Sequence, residues 1–138
     1  MTFFDNIKKF NDIYKLPNGD KLNNLGQDRI QNFANILQEE VMEYTEIMEV
    51  EGNSNGAASG ETMVMMADWL GDIIVYCASE ARRWGIPIEQ VLNIIMESNF
   101  SKLDADGKPI YDERGKVMKG PNYWKPEAKI RELLEKHK

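Results

Sequence analysis

The recurrence of apolar residues at helical spacing predicts an all-α protein. A first helix is predicted from Thr2, its N-cap, to about Tyr14. A second is predicted from about Asp28 to Val50, where the apolar positions form one stripe: Ile30, Phe33, Leu37, Val41, Tyr44 and Met48. The segment 51–60 that follows is rich in glycine, serine and asparagine and is predicted to be a flexible loop.

A third helix, from about Glu61 to Trp84, is apolar on nearly every side and is therefore expected in the buried centre of a bundle. A fourth is predicted from Pro87 to about Asn99, and a short terminal helix from Pro126 to about Lys136. Between these two, Lys108–Tyr111 and Lys116–Met118 predict a short hairpin. The predicted fold is four-helix-bundle-like, with a C-terminal hairpin and helix.

Acidic residues interrupt the apolar pattern of the second and third helices. At about 100° per residue, Glu40 falls inside the apolar arc of the second helix, and Glu39 and Glu43 flank that arc. On the third helix Asp68 and Asp72 project along one narrow line. Two helices thus each present a carboxylate edge in otherwise apolar surroundings.

These carboxylates lack compensating cations nearby in the sequence. No Lys or Arg occurs between Arg29 and Arg82, so ordinary helix-surface charge pairing does not account for them. Buried unpaired carboxylates are costly, and oxygen ligands without His or Cys suit a hard divalent ion. We therefore expect a Mg²⁺ (or Mn²⁺) site whose ligands are Glu40, Glu43, Asp68 and Asp72.

Composition narrows the class of protein. The 138 residues are expected to form one domain, with core metal-binding helices in 28–100 and a basic extension in 101–138. The net charge of −6 argues against general nucleic-acid binding, and it divides into −9 over residues 1–98 and +3 over residues 99–138. One cysteine, no signal-peptide pattern and no membrane-spanning apolar run indicate a cytoplasmic protein that does not bind membranes.

The residue inventory excludes several kinds of catalytic site. The only histidine, His137, is the penultimate residue, so His-based nucleophilic catalysis and His-based zinc sites are excluded. There is no Walker-type glycine loop and no dinucleotide-binding GxGxxG. Any enzyme chemistry must therefore depend on carboxylates, lysines and a metal ion.

A polar segment closes the fourth predicted helix. In Ser98-Asn99-Phe100-Ser101-Lys102, the ammonium of Lys102 and the donors of Asn99 and Ser101 suit a phosphate group. Lys116 and Lys119 add positive charge downstream. The alternative is that these polar residues simply cap the helix.

Taken in order, these motifs resemble those of the MazG-type all-α nucleoside triphosphate pyrophosphohydrolases. That superfamily includes phosphoribosyl-ATP pyrophosphohydrolase and the dimeric dUTPases. The resemblance spans about Arg29 to Pro126 and rests on four features: Glu39-Glu40-x-x-Glu43, Asp72, Ser98-Asn99-x-Ser101-Lys102 and the run Gly115–Pro121.

The resemblance implies a homodimeric or homotetrameric enzyme that releases pyrophosphate from nucleoside triphosphates in a housecleaning role. Glu40, Glu43 and Asp72 match the metal positions of the family, and Glu39 would orient or deprotonate the attacking, metal-bound water. The second family motif is usually Glu-x-x-Asp, but Trp69 stands three residues before Asp72 here, and Asp68 is the residue that can replace the Glu. Phosphoribosyl-ATP hydrolysis and an inactive nucleotide- or partner-binding module remain the alternatives.

Overall fold

The computed structural model describes residues 1–138 and contains six α-helices. They are α1 (Phe3–Ile13), α2 (Gly26–Met42), α3 (Tyr44–Ser54), α4 (Ser59–Arg83), α5 (Ile88–Phe100) and α6 (Glu127–Glu135). The predicted all-α class is confirmed. The chain forms two compact units, the first of Met1–Gly19 and Asn23–Gly85, the second of Asp20–Leu22 and Ile86–Lys138.

Helix α1 begins at its predicted N-cap, Thr2, and packs on α4. The Thr2 hydroxyl accepts a hydrogen bond from the Asp5 amide, and the Asp5 carboxylate accepts one from the Thr2 amide, which completes a capping box. Farther along, the fully buried side chain of Asn11 donates to the Ser79 carbonyl at 3.2 Å and accepts from the Ser79 hydroxyl at 2.7 Å. Two side-chain hydrogen bonds therefore fix α1 on α4.

The predicted helix from Asp28 to Val50 is interrupted at Glu43, which separates α2 from α3. No glycine or proline marks this break, and for that reason the apolar stripe alone does not reveal it. The predicted loop at 51–60 is also wrong in part, because α3 continues to Ser54 and α4 already begins at Ser59. The turn between them uses Asn55 and Gly56, both with positive φ.

Helix α4 is central to the first unit but is not buried. Helices α1, α2 and α3 all pack on it, yet only Ala78, Glu80 and Ala81 on this helix are buried. The expectation of a fully buried helix is therefore wrong for the single chain. Its apolar residues cover more of the circumference than three neighbouring helices can enclose.

The uncovered side of α4 is an apolar stripe with four-three spacing. Met63, Ala67, Leu70, Ile74 and Cys77 are all exposed, Met63 by 68% and Ile74 by 57%. At about 100° per residue this stripe lies opposite Asp68 and Asp72. By length and composition alone α4 would also be able to cross a membrane, a property that the core helices of soluble bundles share.

The second unit contains α5, α6 and two turns with the same design. Asp104 and Asp112 each begin an Asp-x-x-Gly-Lys sequence in which the Asp carboxylate accepts from two later backbone amides. The predicted hairpin is reduced to a single antiparallel bridge between Tyr111 and Val117. A side chain at Gly120 would place its Cβ 2.1 Å from the Leu103 carbonyl oxygen, so only glycine fits there.

A candidate acidic site on helices α2 and α4

Two hydrogen-bonded ties join α2 to α4. At one end the Arg29 guanidinium pairs with the Glu80 carboxylate. At the other end the Trp69 indole N–H donates to the Glu40 carbonyl at 3.0 Å. The ties are eleven residues apart on each helix, which is about 16 Å of helix axis. The helices are therefore antiparallel and held in one register along the whole interval.

The Trp69 end of this pair collects four carboxylates. Glu40 is only 8% exposed, and its buried Oε1 atom has no hydrogen-bond partner. Burial raises the pKa of Glu40, and the negative charges of Glu43, Asp72 and Asp68 raise it further. The structure thus places the other three predicted ligands close enough to Glu40 to act on it electrostatically, although Glu43 and Asp68 are themselves exposed to solvent.

The donor chemistry of this cluster fits a hard divalent cation. The oxygen donors are all carboxylates, the local charge is uncompensated, and Glu40 has an orphaned buried oxygen. In the conformation described, no three His, Cys, Asp or Glu side chains converge closely enough to hold an ion. Binding of a cation would therefore require the carboxylates to move toward one another.

Glu39 differs from the neighbouring Glu40 in its access to solvent. Its side chain is exposed and borders a shallow, open depression together with Asn35, Gln38 and Met42. The predicted role of Glu39 toward water therefore rests on its position beside the cluster and its access to solvent.

A cavity of about 350 Å³ lies in the first unit, next to the acidic cluster. Asp72 belongs to both, because its carboxylate acts on Glu40 and its side chain lines the cavity. Phe10, Phe33 and Tyr76 supply aromatic surface to the walls. Apolar walls with a few converging polar groups are typical of small-molecule sites.

The far end of the cavity is a compensated charge cluster. Glu80 accepts from Arg29 and from the Trp84 indole at 2.8 Å, and Arg83 lies 3.7 Å from it. Burial alone would raise the pKa of Glu80, but these hydrogen bonds and charges outweigh burial and lower it. The cavity thus runs from an acidic end at Asp72 to an end with two arginines and one glutamate.

Sequence reasoning missed the arginine end of this site. Arg29 and the Arg82-Arg83 pair lie at the two ends of the long segment that contains no Lys or Arg. Their position at its ends is the sequence signal that would have indicated these arginines. Tyr76 was also missed, although it follows Asp72 by one helical turn and thus shares its face. The cavity itself depends on tertiary packing and has no local signal.

The predicted phosphate-binding residues lie in the second unit. Asn99 is exposed and Lys102 is half-buried. The Ser101 hydroxyl, in contrast, donates to the Ser98 carbonyl and accepts from the Trp124 amide. For Ser101 the structure therefore favours the alternative in which the polar residue supports the end of the helix.

Two lysines that were predicted to attract phosphate are exposed. Lys116 is exposed beside the second Asp-x-x-Gly-Lys turn, and the Lys119 ammonium lies 5.0 Å from the centre of the Tyr123 ring. One face of Trp124 is covered by Lys129 at 4.0 Å. Phosphate binding by Asn99, Lys102, Lys116 and Lys119 stays a prediction from the sequence.

Comparison with known proteins yields a structural likeness. The chain is similar to a crystal structure from Exiguobacterium sp. 255-15, provisionally described as an NTP pyrophosphohydrolase. The match covers 98% of each chain with 21% sequence identity and a TM-score of 0.50. No family model and no curated protein matches the sequence. At this identity the likeness supports the all-helical, bundle-like fold.

Proposed function

We propose that the protein is a Mg²⁺-dependent nucleoside triphosphate pyrophosphohydrolase of the MazG type. The observation that supports this most directly is the buried, orphaned Glu40 oxygen within a cluster of four carboxylates. An uncompensated cluster of this kind destabilises the protein unless a cation joins it. The solved structure with the similar fold is provisionally described as an NTP pyrophosphohydrolase, which agrees with the proposal.

In this proposal the acidic cluster and the cavity have separate tasks. Glu40, Glu43, Asp68 and Asp72 would hold Mg²⁺, which neutralises charge on the phosphate oxygens. The aromatic walls around Phe33 and Tyr76 receive the nucleoside, because the cavity is continuous with Asp72. Glu39, which is exposed to solvent, accepts a proton from the water that attacks the triphosphate. The products are a nucleoside monophosphate and pyrophosphate.

The test is pyrophosphate release from a panel of canonical, deoxy and modified nucleoside triphosphates, with phosphoribosyl-ATP included. Each is assayed with Mg²⁺, with Mn²⁺ and with EDTA, and the nucleotide product is identified by chromatography. We expect release that requires a divalent ion and leaves the monophosphate. Release of phosphate instead of pyrophosphate, or turnover that persists in EDTA, contradicts the proposal. Metal binding without any turnover would support the binding-module alternative.

We also propose that a second copy of the chain covers the exposed stripe on α4. Met63, Leu70 and Ile74 follow the four-three spacing by which paired helices interlock, and one self-complementary patch is enough for a twofold dimer. Light scattering on the purified protein is expected to give at least twice the monomer mass, and Leu70→Gln is expected to lower it. A monomeric wild-type protein contradicts this proposal.

A further inference from the structure

We infer that Trp69 is a positioning residue for the acidic cluster, through the hydrogen bond from its indole to the backbone of Glu40. The inference rests on the proposed function and adds a residue that supplies no ligand. Trp69 lies between Asp68 and Asp72 on α4. It occupies the position of the glutamate in the Glu-x-x-Asp motif of the MazG-type family that this sequence resembles. An indole is a hydrogen-bond donor only, so it is unable to coordinate a cation.

The backbone that Trp69 contacts is the point where α2 ends. There the Glu43 amide bonds to the Glu40 carbonyl at 3.2 Å, three residues back, and the Glu46 amide bonds to the Glu43 carbonyl at 3.1 Å. An α-helix uses bonds to the fourth residue back. The Glu40 carbonyl thus bonds within a tightened turn and also accepts from the Trp69 indole at 3.0 Å.

This arrangement determines where two of the acids lie. Glu40 is the last acid inside α2, and Glu43 is the junction residue itself. Holding the Glu40 carbonyl from α4 fixes the direction in which both side chains leave the backbone. Because the donor sits between Asp68 and Asp72, the same contact sets the two acidic edges opposite each other. Trp69 therefore positions the acidic cluster through a backbone contact and adds no ligand to its four carboxylates.

The test uses a pair of matched tryptophans. Trp69→Phe keeps the ring and removes the N–H at the acidic end. Trp84→Phe removes the corresponding N–H at the arginine end, where the indole bonds to Glu80 at 2.8 Å. Each variant loses the single hydrogen bond that its indole donates. If both hydrogen bonds only stabilise the fold, the two variants should change Mg²⁺ affinity to a similar extent.

We expect the two variants to separate in their affinity for Mg²⁺. Trp69→Phe is expected to weaken Mg²⁺ binding, measured by calorimetry without nucleotide, by about 10–100-fold, as for other residues that orient metal ligands. Trp84→Phe is expected to leave that affinity within about twofold of wild type, since its effect is on stability. Circular dichroism on both variants verifies that the helical fold is kept.

Nuclear magnetic resonance gives a second readout that does not depend on turnover. A ¹H–¹⁵N spectrum of the wild-type protein is expected to show one indole signal for each of the three tryptophans. The signal missing in Trp69→Phe is expected to be protected from exchange with solvent and to shift when Mg²⁺ is added. The Trp84 signal serves as the internal control and is expected to stay in place.

Each outcome decides a separate question. If wild-type protein binds Mg²⁺ and releases pyrophosphate, but Trp69→Phe binds Mg²⁺ as tightly, the positioning role is wrong and the proposed function stands. If both tryptophan variants weaken Mg²⁺ binding equally, the contact is structural and the inference is overturned. If the wild-type protein neither binds Mg²⁺ nor releases pyrophosphate, the proposed function fails, and this inference fails with it.

Discussion

Two buried glutamates, Glu40 and Glu80, lie at opposite ends of the α2–α4 pair and behave in opposite ways. Each is 8% exposed, so burial alone does not distinguish them. Glu80 is surrounded by Arg29, Arg83 and the Trp84 indole, and its pKa is lowered even though burial by itself would raise it. Glu40 is surrounded by other acids, and both burial and its neighbours raise its pKa.

The difference separates a structural charge from a candidate functional one. A charge whose partners belong to the same chain stabilises the fold in a completed network. A charge that the chain leaves uncompensated destabilises the fold and favours binding of a cation from outside. Substitution of each glutamate therefore has a different expected result: a loss of stability at Glu80 and a loss of cation binding at Glu40.

The largest expected effect is the loss of turnover in Glu40→Gln. Removing one carboxylate from the cluster weakens the cation site and is expected to lower pyrophosphate release by at least about 100-fold. The melting temperature in EDTA is not expected to fall, because the substitution removes repulsion. The control is Glu49→Gln, which neutralises an exposed acid on α3. If Glu40→Gln and Glu49→Gln retain equal activity, Glu40 is not part of the site.

The next effect is on stability, at the other end of the pair. Glu80→Gln leaves the Arg29 guanidinium without its anionic partner, and the free energy of unfolding is expected to fall by about 2–3 kcal/mol. The loss is smaller than for a fully buried pair because Arg29 is 22% exposed. Urea unfolding in EDTA measures it. If Glu80→Gln lowers the free energy of unfolding by less than Glu40→Gln does, then Glu80 is not the structural glutamate and Glu40 is not the uncompensated one.

As the pH falls, the destabilisation by ionised Glu40 is expected to disappear before the stabilisation by ionised Glu80. The ordinary pKa is 4.5 for both groups. Ionised Glu40 destabilises the fold above its raised pKa, and that penalty disappears as the pH falls through this pKa toward 4.5. The stabilisation from Glu80 is complete above 4.5 and is lost as the pH falls through its lowered pKa.

Urea unfolding from about pH 7.5 to about pH 3 in EDTA tests this order. The difference between wild type and Glu40→Gln is expected to vanish first, and that between wild type and Glu80→Gln last. Identical pH dependence for the two differences would show that the two carboxyl groups share one environment.

The smallest effect is expected from Arg29→Lys. Lysine keeps the charge but loses the forked guanidinium that bonds both oxygens of Glu80, so the unfolding free energy is expected to fall by about 1 kcal/mol. Mg²⁺ affinity is expected to be unchanged, because the acidic cluster lies at the opposite end of the pair. A weaker Mg²⁺ affinity in this variant would show that the two ends are coupled.

How far the sequence alone predicts this molecule depends on whether a feature has a local cause. The N-cap at Thr2 and the end of α4 before Gly85 are set by neighbouring residues, and both were predicted. The break at Glu43 was not, because its immediate residues favour continued helix. The Glu40 carbonyl at that break is held by an indole 29 residues away, a contact that no local pattern shows.

The candidate site likewise contains residues with a local sequence signal and features that depend on tertiary packing. Glu40, Glu43, Asp68 and Asp72 were predicted as ligands because charges beside or within an apolar stripe are visible in helical periodicity. The cavity and the Arg29–Glu80 pair were not, because they exist only once α1, α2 and α4 have packed together. The exposure of α4 was mispredicted since periodicity shows which faces are apolar, and not which neighbours cover them.

The equal spacing of the two ties between α2 and α4 limits how this gene can change in length. One residue inserted between Arg29 and Glu40 would rotate everything beyond it by about 100° and break one of the two contacts. Substitutions on the exposed faces leave the spacing intact, so homologues are expected to differ there freely and to lack single-residue insertions in this interval. An insertion of seven residues in each helix would return the contacting side chains to the same helix face within about 20°. Such an insertion would lengthen the cavity and leave the acidic end and the arginine end unchanged.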